Sequence, residues 1–504
     1  MPIAKIHSRA LLGIDAPTVT VEAHVAPGLP AFTLVGLPET AVRESRDRVR
    51  AAILSSGFEF PPRRLTVNLA PADLPKESAR FDLGIALAIL AATGQLPASA
   101  AERLSRIECL GELSLDGSLR PIRGTLSAAR AARDAGRELL LPAEGRGEAE
   151  LIPGVSGRAL HHLAEAVGYL AGEQSPDRLH HRAARPPDPA GDGDLADVRG
   201  QPRAKRALAI AAAGGHNLLL IGPPGAGKSM LAQRLAGILP PLTEDESLSV
   251  AEVAAVTPAG FDPRAFGRRP FRAPHHSASA VALIGGGSQP GPGEISLAHH
   301  GTLFLDELPE FDRRVLEALR EPMEVGSVMI SRAARQATFP ADFQLVAAMN
   351  PSPQGTEVHS RAAQRYRAKV SGPLLDRIDI HLEVPRVPAT DLDQPTEPGE
   401  DSATVRQRVV DARQRMLDRQ GVVNARLDAR GVTEQVPLET AERDMLNRAI
   451  EKLQLSGRAR ERILKLARSI ADYDQRPAID GAVLAEAIGY RHLDRLFAGG
   501  RSSA

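Results

Sequence analysis

Residues 222–229 read GPPGAGKS, preceded by the strand-like run NLLLI and followed by the helix-like KSMLAQRLAGIL. Few short patterns constrain a fold as tightly. An apolar run, a glycine-rich turn and a helix in direct succession let backbone N–H groups curl around an anion at the helix N-terminus. Lys228 adds a point charge and the Ser229 hydroxyl suits a magnesium ion. Gly222, Pro223, Pro224, Gly225, Ala226, Gly227, Lys228 and Ser229 are thus candidate ligands of the phosphates of ATP. Further short apolar runs at TLFLD, FQLVAAMN and DIHLEV, with helical stretches between them, predict a parallel sheet.

Downstream, LFLDE (303–307) is an apolar strand that ends in two carboxylates. At the edge of a sheet that also carries the phosphate loop, Asp306 is expected to hold magnesium and Glu307 to polarise a water for attack on a γ-phosphate. Asn350 closes LVAAMN, where a side-chain amide can orient that water. Arg377, in SGPLLDRID, follows a helix-like run and precedes a strand. It either completes the site of a neighbouring copy in a ring or pairs at the surface with Asp376 or Asp379.

The chain of 504 residues exceeds one ordinary core. Three blocks differ in texture. Residues 1–172 alternate strand-like stretches (TVTVEAHV, AFTLVGL, RLTVNLA) with Ala/Leu/Arg-rich helices, predicting an α+β domain. A Pro-rich linker at 173–194 leads into an α/β block at 195–385, and a polar loop at 386–402 leads into a helical block at 403–504. The 62 basic residues balance 62 acidic ones, so any nucleic-acid contact must come from local clusters rather than a global field. Cys109 is the only cysteine, which excludes disulfides within the chain and thiolate zinc sites. Leu83–Ala92 is the longest apolar run and is too short to cross a bilayer, and the first residues lack the pattern of a secretory signal; a cytoplasmic protein with no membrane partner is expected.

The motifs FRAPHHSAS, ALIGGG, PGEISLAHHGTLFLDELPEF and SGPLLDRIDIHLEVP resemble the ComM/YifB family of magnesium-chelatase-like AAA+ ATPases. The resemblance extends to the first block through LTVNLAPADLPKESARFDLGIALAIL and to the third through LSGRARERILKLARSIAD. It implies a multidomain α/β protein: a Lon-protease/S5-like α+β domain, an AAA+ core with a parallel sheet, and a small helical lid. It also implies a ring-forming motor, a homo-hexamer, that drives branch migration of DNA joints in homologous recombination and natural transformation, alongside recombination proteins. By the same resemblance Asn350 is sensor 1, Arg377 the arginine finger, and Arg458 the sensor 2 of the lid, with Arg460 and Arg462 as alternatives. A chelatase-type or protein-remodelling role on a protein partner is the other reading such a fold allows.

Two departures from the family matter. Where many members carry a cysteine cluster after the sensor asparagine, this chain reads PSPQGTEVHSRAAQRYR, so no zinc is expected. In the first block Arg80 stands where the related proteases have their nucleophile and Leu126 where their lysine base would fall, with Ser78 beside Lys76 a weak substitute, so proteolysis is not expected.

DNA contacts are sought in cations lining a pore. Arg332 and Arg335, in the hairpin-like VGSVMISRAARQATF, are candidates, as is the acid-free stretch holding Arg361, Arg365, Arg367 and Lys369. Residues 271–301 carry two His-His pairs around a Gly/Pro-rich segment. Adjacent side chains point apart, so these pairs make a poor metal site. By position in this branch of AAA+ proteins, 279–287 (SAVALIGGG) is expected to be a pore loop, with Ile284 gripping and Gly285 permitting movement. His299 and His300 are expected to relay nucleotide state from beside the TLFLDE strand.

Overall fold

The structure is a computed structural model that describes residues 3–36, 40–76, 79–97, 99–182, 193–287, 290–332, 335–353, 360–388, 399–453 and 455–498. Part of the expected linker (183–192), most of the loop after 385 and part of the Gly/Pro-rich segment lie outside the described residues, as does Ser78. The chain divides into two compact units: 1–186 with 247–267 and 335–338, and 187–246 with 268–334 and 339–504.

The first unit is built on a seven-stranded mixed sheet. In space its strands run Ala31–Val35, Arg64–Ala70, Thr18–Ala26, Ile3–Arg9, Ile107–Cys109, Glu138–Pro142 and Gly157–Leu160. Alternation sets its inner face. Val19, Val21 and Ala23 on one strand and Leu65, Val67 and Leu69 on its antiparallel neighbour are fully buried, while Thr20 and Glu22 between them are not. Helix Asp82–Ala92 covers that face. It is apolar nearly all round and buried along almost its whole length, as the uninterrupted run in the sequence requires.

Of the two positions that depart from the protease pattern, Arg80 is buried and donates from Nη2 to the Arg123 carbonyl (2.5 Å), and Leu126 lies fully inside the core. Lys76 is also buried, with its amine donating to the carbonyls of Gly36 (2.9 Å), Leu74 (3.1 Å) and Pro71. Burial lowers its pKa.

One stretch departs from the sequence reading, which assigns 247–267 to the α/β block. Leu248, Ala251, Ala255 and Phe266 instead join Leu126, Ala128 and Leu139 in a core of the first unit, and Glu252 pairs with Arg130 at 2.9 Å.

The second unit holds the expected parallel sheet. Four of its five strands are the apolar runs Leu218–Ile221, Thr302–Leu305, Gln344–Met349 and Ile380–Glu383; the fifth is the two-residue edge strand Phe271–Arg272. In space the order is Phe271–Arg272, Thr302–Leu305, Gln344–Met349, Leu218–Ile221, Ile380–Glu383, all neighbours parallel. The described residues after 398 form helices and no strand; Ser402–Gln420 and Gly457–Tyr473 share one apolar core with helix Pro202–Gly214 and the sheet. Ser327–Arg332 and Arg335–Pro340 form a two-stranded ribbon, the expected hairpin.

Candidate functional site

Parallel strands in register bring their carboxyl ends to one edge, and that edge is where such sheets bind ligands. Ile221 pairs with Met349 and Leu305 with Ala347, so the residues that follow, Gly222, Asn350 and Asp306, emerge side by side. Gly222 is required by close approach: a Cβ there would stand 2.1 Å from the Val384 carbonyl oxygen. Gly225 (φ 77°) and Gly227 (φ 86°) take the left-handed conformation that lets the loop turn back, with open space where a side chain would go. Helix Lys228–Ile238 begins at once, and its first N–H groups face the loop's concavity.

Side chains complete the cleft, about 380 Å³ in volume, which is lined by the loop, Asp306, Glu307 and Asn350. The Lys228 amine donates to the carbonyls of Gly222 (2.8 Å) and Pro223 (3.0 Å) and to Asn350 Oδ1 (3.0 Å). Burial lowers the Lys228 pKa, against the opposing pull of Asp306 and Glu307. Ser229 Oγ donates to Asp306 Oδ2 at 2.8 Å, and Asp306 Oδ1 accepts the Glu307 backbone N–H at 2.9 Å. Glu307 has a left-handed backbone (φ 52°) and its carboxylate meets His276, with Nδ1 to Oε2 at 3.2 Å.

Hydroxyl, carboxylate, ammonium and helix N–H groups together form a donor set that fits a nucleoside triphosphate with a hard divalent cation. Ser229 and Asp306 offer the oxygens for the cation, while Lys228 and the loop N–H groups offer positive charge for phosphates.

The structure does not bring every expected residue here. Arg377 and Arg458 do not line the cleft. Of the two readings of Arg377, the surface pair with Asp376 or Asp379 is not formed: the side chain is buried, ion-paired with Glu324 and donating to the Pro373 carbonyl at 2.8 Å. Arg458 is exposed at the start of helix Gly457–Tyr473, close enough to Arg377 for its charge to help lower that group's pKa after burial and the other nearby charges. Arg462 is held by the buried Asp379 at 2.5 Å, which ties this alternative sensor to structure.

Arg367 cannot face a pore: it is buried, donating to the carbonyls of Pro351 (3.0 Å) and Leu496 (3.2 Å). Lys369 pairs with Glu310 at 3.0 Å, whereas Arg361 and Arg365 are exposed. The backbone places Arg332 and Arg335 at the ends of the two ribbon strands nearest the turn; their side chains lie outside the described residues.

The segment 279–287 is a short helix, Ala280–Ile284, capped by Ser279 and followed by Gly285–Gly286, which pair with Gly291–Pro292. Ile284 is half-buried. His299 and His300 lie at the amino end of strand Thr302–Leu305, the edge away from Asp306, where they brace Asp342 through its N–H (3.1 Å) and carbonyl (2.7 Å). A relay of nucleotide state through them loses its geometric basis. Among the described residues no group of three His, Cys, Asp or Glu side chains is placed to hold a metal ion.

Two neighbours of the cleft are not assigned to it by the sequence, although the His275–His276 pair stands out there. Besides His276, Tyr366 lies buried close to Asn350, its hydroxyl pKa pushed up to about 12 by burial and by the nearby Glu310 and Glu307 carboxylates.

The chain is 48% identical to "Uncharacterized protein YifB" of Escherichia coli K12, covering 98% of each chain, and 47% identical to "Competence protein ComM" of Haemophilus influenzae, covering 98% of this chain and 99% of that one. It belongs to the ComM/YifB family of magnesium-chelatase-like AAA+ ATPases. Family models agree: "Magnesium chelatase, subunit ChlI" matches residues 194–392, "Subunit ChlI of Mg-chelatase" 21–145, and "Magnesium chelatase, subunit ChlI C-terminal" 399–491. By contrast, the "Magnesium-chelatase 67 kDa subunit" of Chlorobaculum parvum is 29% identical over 31% of this chain. Like other ComM/YifB members the chain is thus an AAA+ ATPase by family, and no described helix is long and apolar enough to cross a membrane.

Proposed function

We propose that this protein is an ATP-driven DNA motor that assembles as a homo-hexameric ring in the cytoplasm and drives branch migration of DNA joints during homologous recombination, as in natural transformation. The observation that carries the reading is the convergence of Lys228, Ser229, Asp306, Glu307 and Asn350 at one sheet edge, in a chain related over its full length to a protein named for competence.

In this reading the loop N–H groups and Lys228 bind the phosphates, with Lys228 exchanging its carbonyl partners for phosphate oxygens. Ser229 and Asp306 hold magnesium, which when bound neutralises charge on the β- and γ-phosphates. Glu307 takes a proton from the attacking water, and Asn350 orients that water. Arg377 and Arg458, absent from the cleft of their own chain, serve the cleft of the next copy; for Arg377 this requires release from Glu324. Gly285 and Ile284 in the expected pore loop (279–287, the insert between the phosphate-loop helix and strand Thr302–Leu305) and Arg332 and Arg335 in the ribbon contact DNA in the pore, together with exposed Arg361 and Arg365.

A chelatase-type or protein-remodelling role is the alternative, and the models named for magnesium chelatase support it. ATP hydrolysis measured with and without single-stranded, duplex and forked DNA separates the two. Stimulation by DNA supports the motor; a rate indifferent to DNA but raised by a protein partner supports the alternative.

A further inference from the structure

We infer that His276 is a positioning residue for Glu307, fixing the carboxylate of the proposed general base and tying it to the segment that leads into the insert. The inference rests on the reading of Glu307 given above. A glutamate side chain has three free torsions, and this one is half-exposed, so nothing in its covalent structure decides where the carboxylate points. The left-handed backbone at Glu307 swings the side chain out of the strand direction, a conformation costing about 1 kcal/mol that needs support from its surroundings. His276 Nδ1, 3.2 Å from Oε2, is placed to supply it.

The imidazole is itself held. Its ring lies against His275 at 4.1 Å between centroids and meets the buried Phe311 edge-on at 6.5 Å and 81°. Glu307 is therefore a mobile arm resting on a fixed post.

The post stands at an informative place in the chain. Edge strand Phe271–Arg272 pairs directly with Thr302–Leu305, so the chain leaving it runs past the turn that carries Glu307. Three residues beyond His276 is Ser279, whose hydroxyl accepts the Ala282 N–H (3.2 Å) and caps helix Ala280–Ile284. At the helix end Gly285 is packed so closely that a Cβ would stand 2.5 Å from Ile330 Cδ1 of the ribbon. A load on the insert is thereby transmitted to His276 and to the geometry of Glu307.

Two substitutions separate a hydrogen-bonding role from ring packing. His276→Phe keeps a flat ring against His275 and Phe311 but has no N–H; His276→Gln restores an N–H and loses the ring. Steady-state ATP hydrolysis by the full chain is expected to show kcat lowered roughly 10- to 100-fold in His276→Phe, with KM for ATP within about threefold of wild type because the phosphate loop is untouched. His276→Gln is expected to recover most of kcat. The reverse order, His276→Phe near wild type and His276→Gln impaired, assigns the residue to packing and overturns the inference. Glu307→Gln, measured alongside, tells the two readings apart: if it is inactive while His276→Phe is normal, only this inference falls, and if it is active, the general-base reading falls as well.

Discussion

Ser229 and Asp306 are 77 positions apart in sequence and joined by a 2.8 Å hydrogen bond, hydroxyl to carboxylate, at the carboxyl edge of the parallel sheet. Beside them Lys228 reaches Asn350 over 3.0 Å. These two links draw three strands and the phosphate loop into one site.

Because Arg377 is absent from its own cleft, its contribution is expected in trans. Lys228→Ala and Arg377→Ala are each expected to lose ATPase activity by about 100-fold or more. Mixed one to one, they are expected to recover roughly a quarter of the wild-type rate, since a cleft with an intact lysine then meets a neighbour with an intact arginine. Absence of recovery in co-assembled mixtures argues against a finger at Arg377.

The lid of the second unit is fastened by a buried carboxylate. Asp379 accepts the Asn217 N–H at 2.9 Å, pairs with Arg462 at 2.5 Å and lies 3.6 Å from His216 Nδ1. Burial works against its ionised form, yet Arg462 and His216 hold its pKa well below the usual range. Asp379→Ala is expected to destabilise the protein by about 3–5 kcal/mol, read from denaturant midpoints, because it leaves Arg462 uncompensated. A depressed carboxylate stabilises fully above its unfolded pKa, so wild type loses this contribution as pH falls below about 4 and the variant has none to lose.

His299 gives a second acid-sensitive term. Burial, with His300 beside it, lowers its pKa to about 3, so between about pH 6.5 and 3 the unfolded chain binds a proton that the folded imidazole refuses. Stability is expected to fall with falling pH across that window. His299→Asn, which retains an acceptor for the Asp342 N–H, should flatten the dependence of the melting temperature between pH 7 and 5. An unchanged slope contradicts the assignment.

How much of this was legible in sequence follows from what each feature depends on. The phosphate loop, Asp306, Glu307 and Asn350 each terminate an apolar run, so naming the strand names the edge on which its last residue emerges. The strand Phe271–Arg272 is two residues long and has no such run, and with it His276 passed unseen as a partner of Glu307. The stretch around Arg367 contains no acid, yet Arg367, the last of its three arginines, is buried on backbone carbonyls, which charge counting cannot register. Arg377 found Glu324, 53 positions away, rather than the aspartates beside it. The helix Glu244–Ala255 follows the phosphate-loop helix in sequence but buries its apolar positions in the first unit, a choice made by tertiary packing alone.

Gly285 tests the insert. It sits at φ 110°, and a Cβ would lie 2.4 Å from the Gly291 carbonyl oxygen, so Gly285→Ala forces backbone movement costing about 1–3 kcal/mol locally. DNA-stimulated hydrolysis is expected to fall more than basal hydrolysis. An equal fall in both places Gly285 in the scaffold rather than in coupling.

The most direct measurement of the central claim is displacement of a labelled strand from a three-way or Holliday junction by the purified protein with ATP and magnesium. The account predicts displacement by wild type, none without ATP, and none by Lys228→Ala even where that variant still binds the junction. ATP hydrolysis by wild type with the junction left intact, under conditions in which DNA is bound, would contradict it.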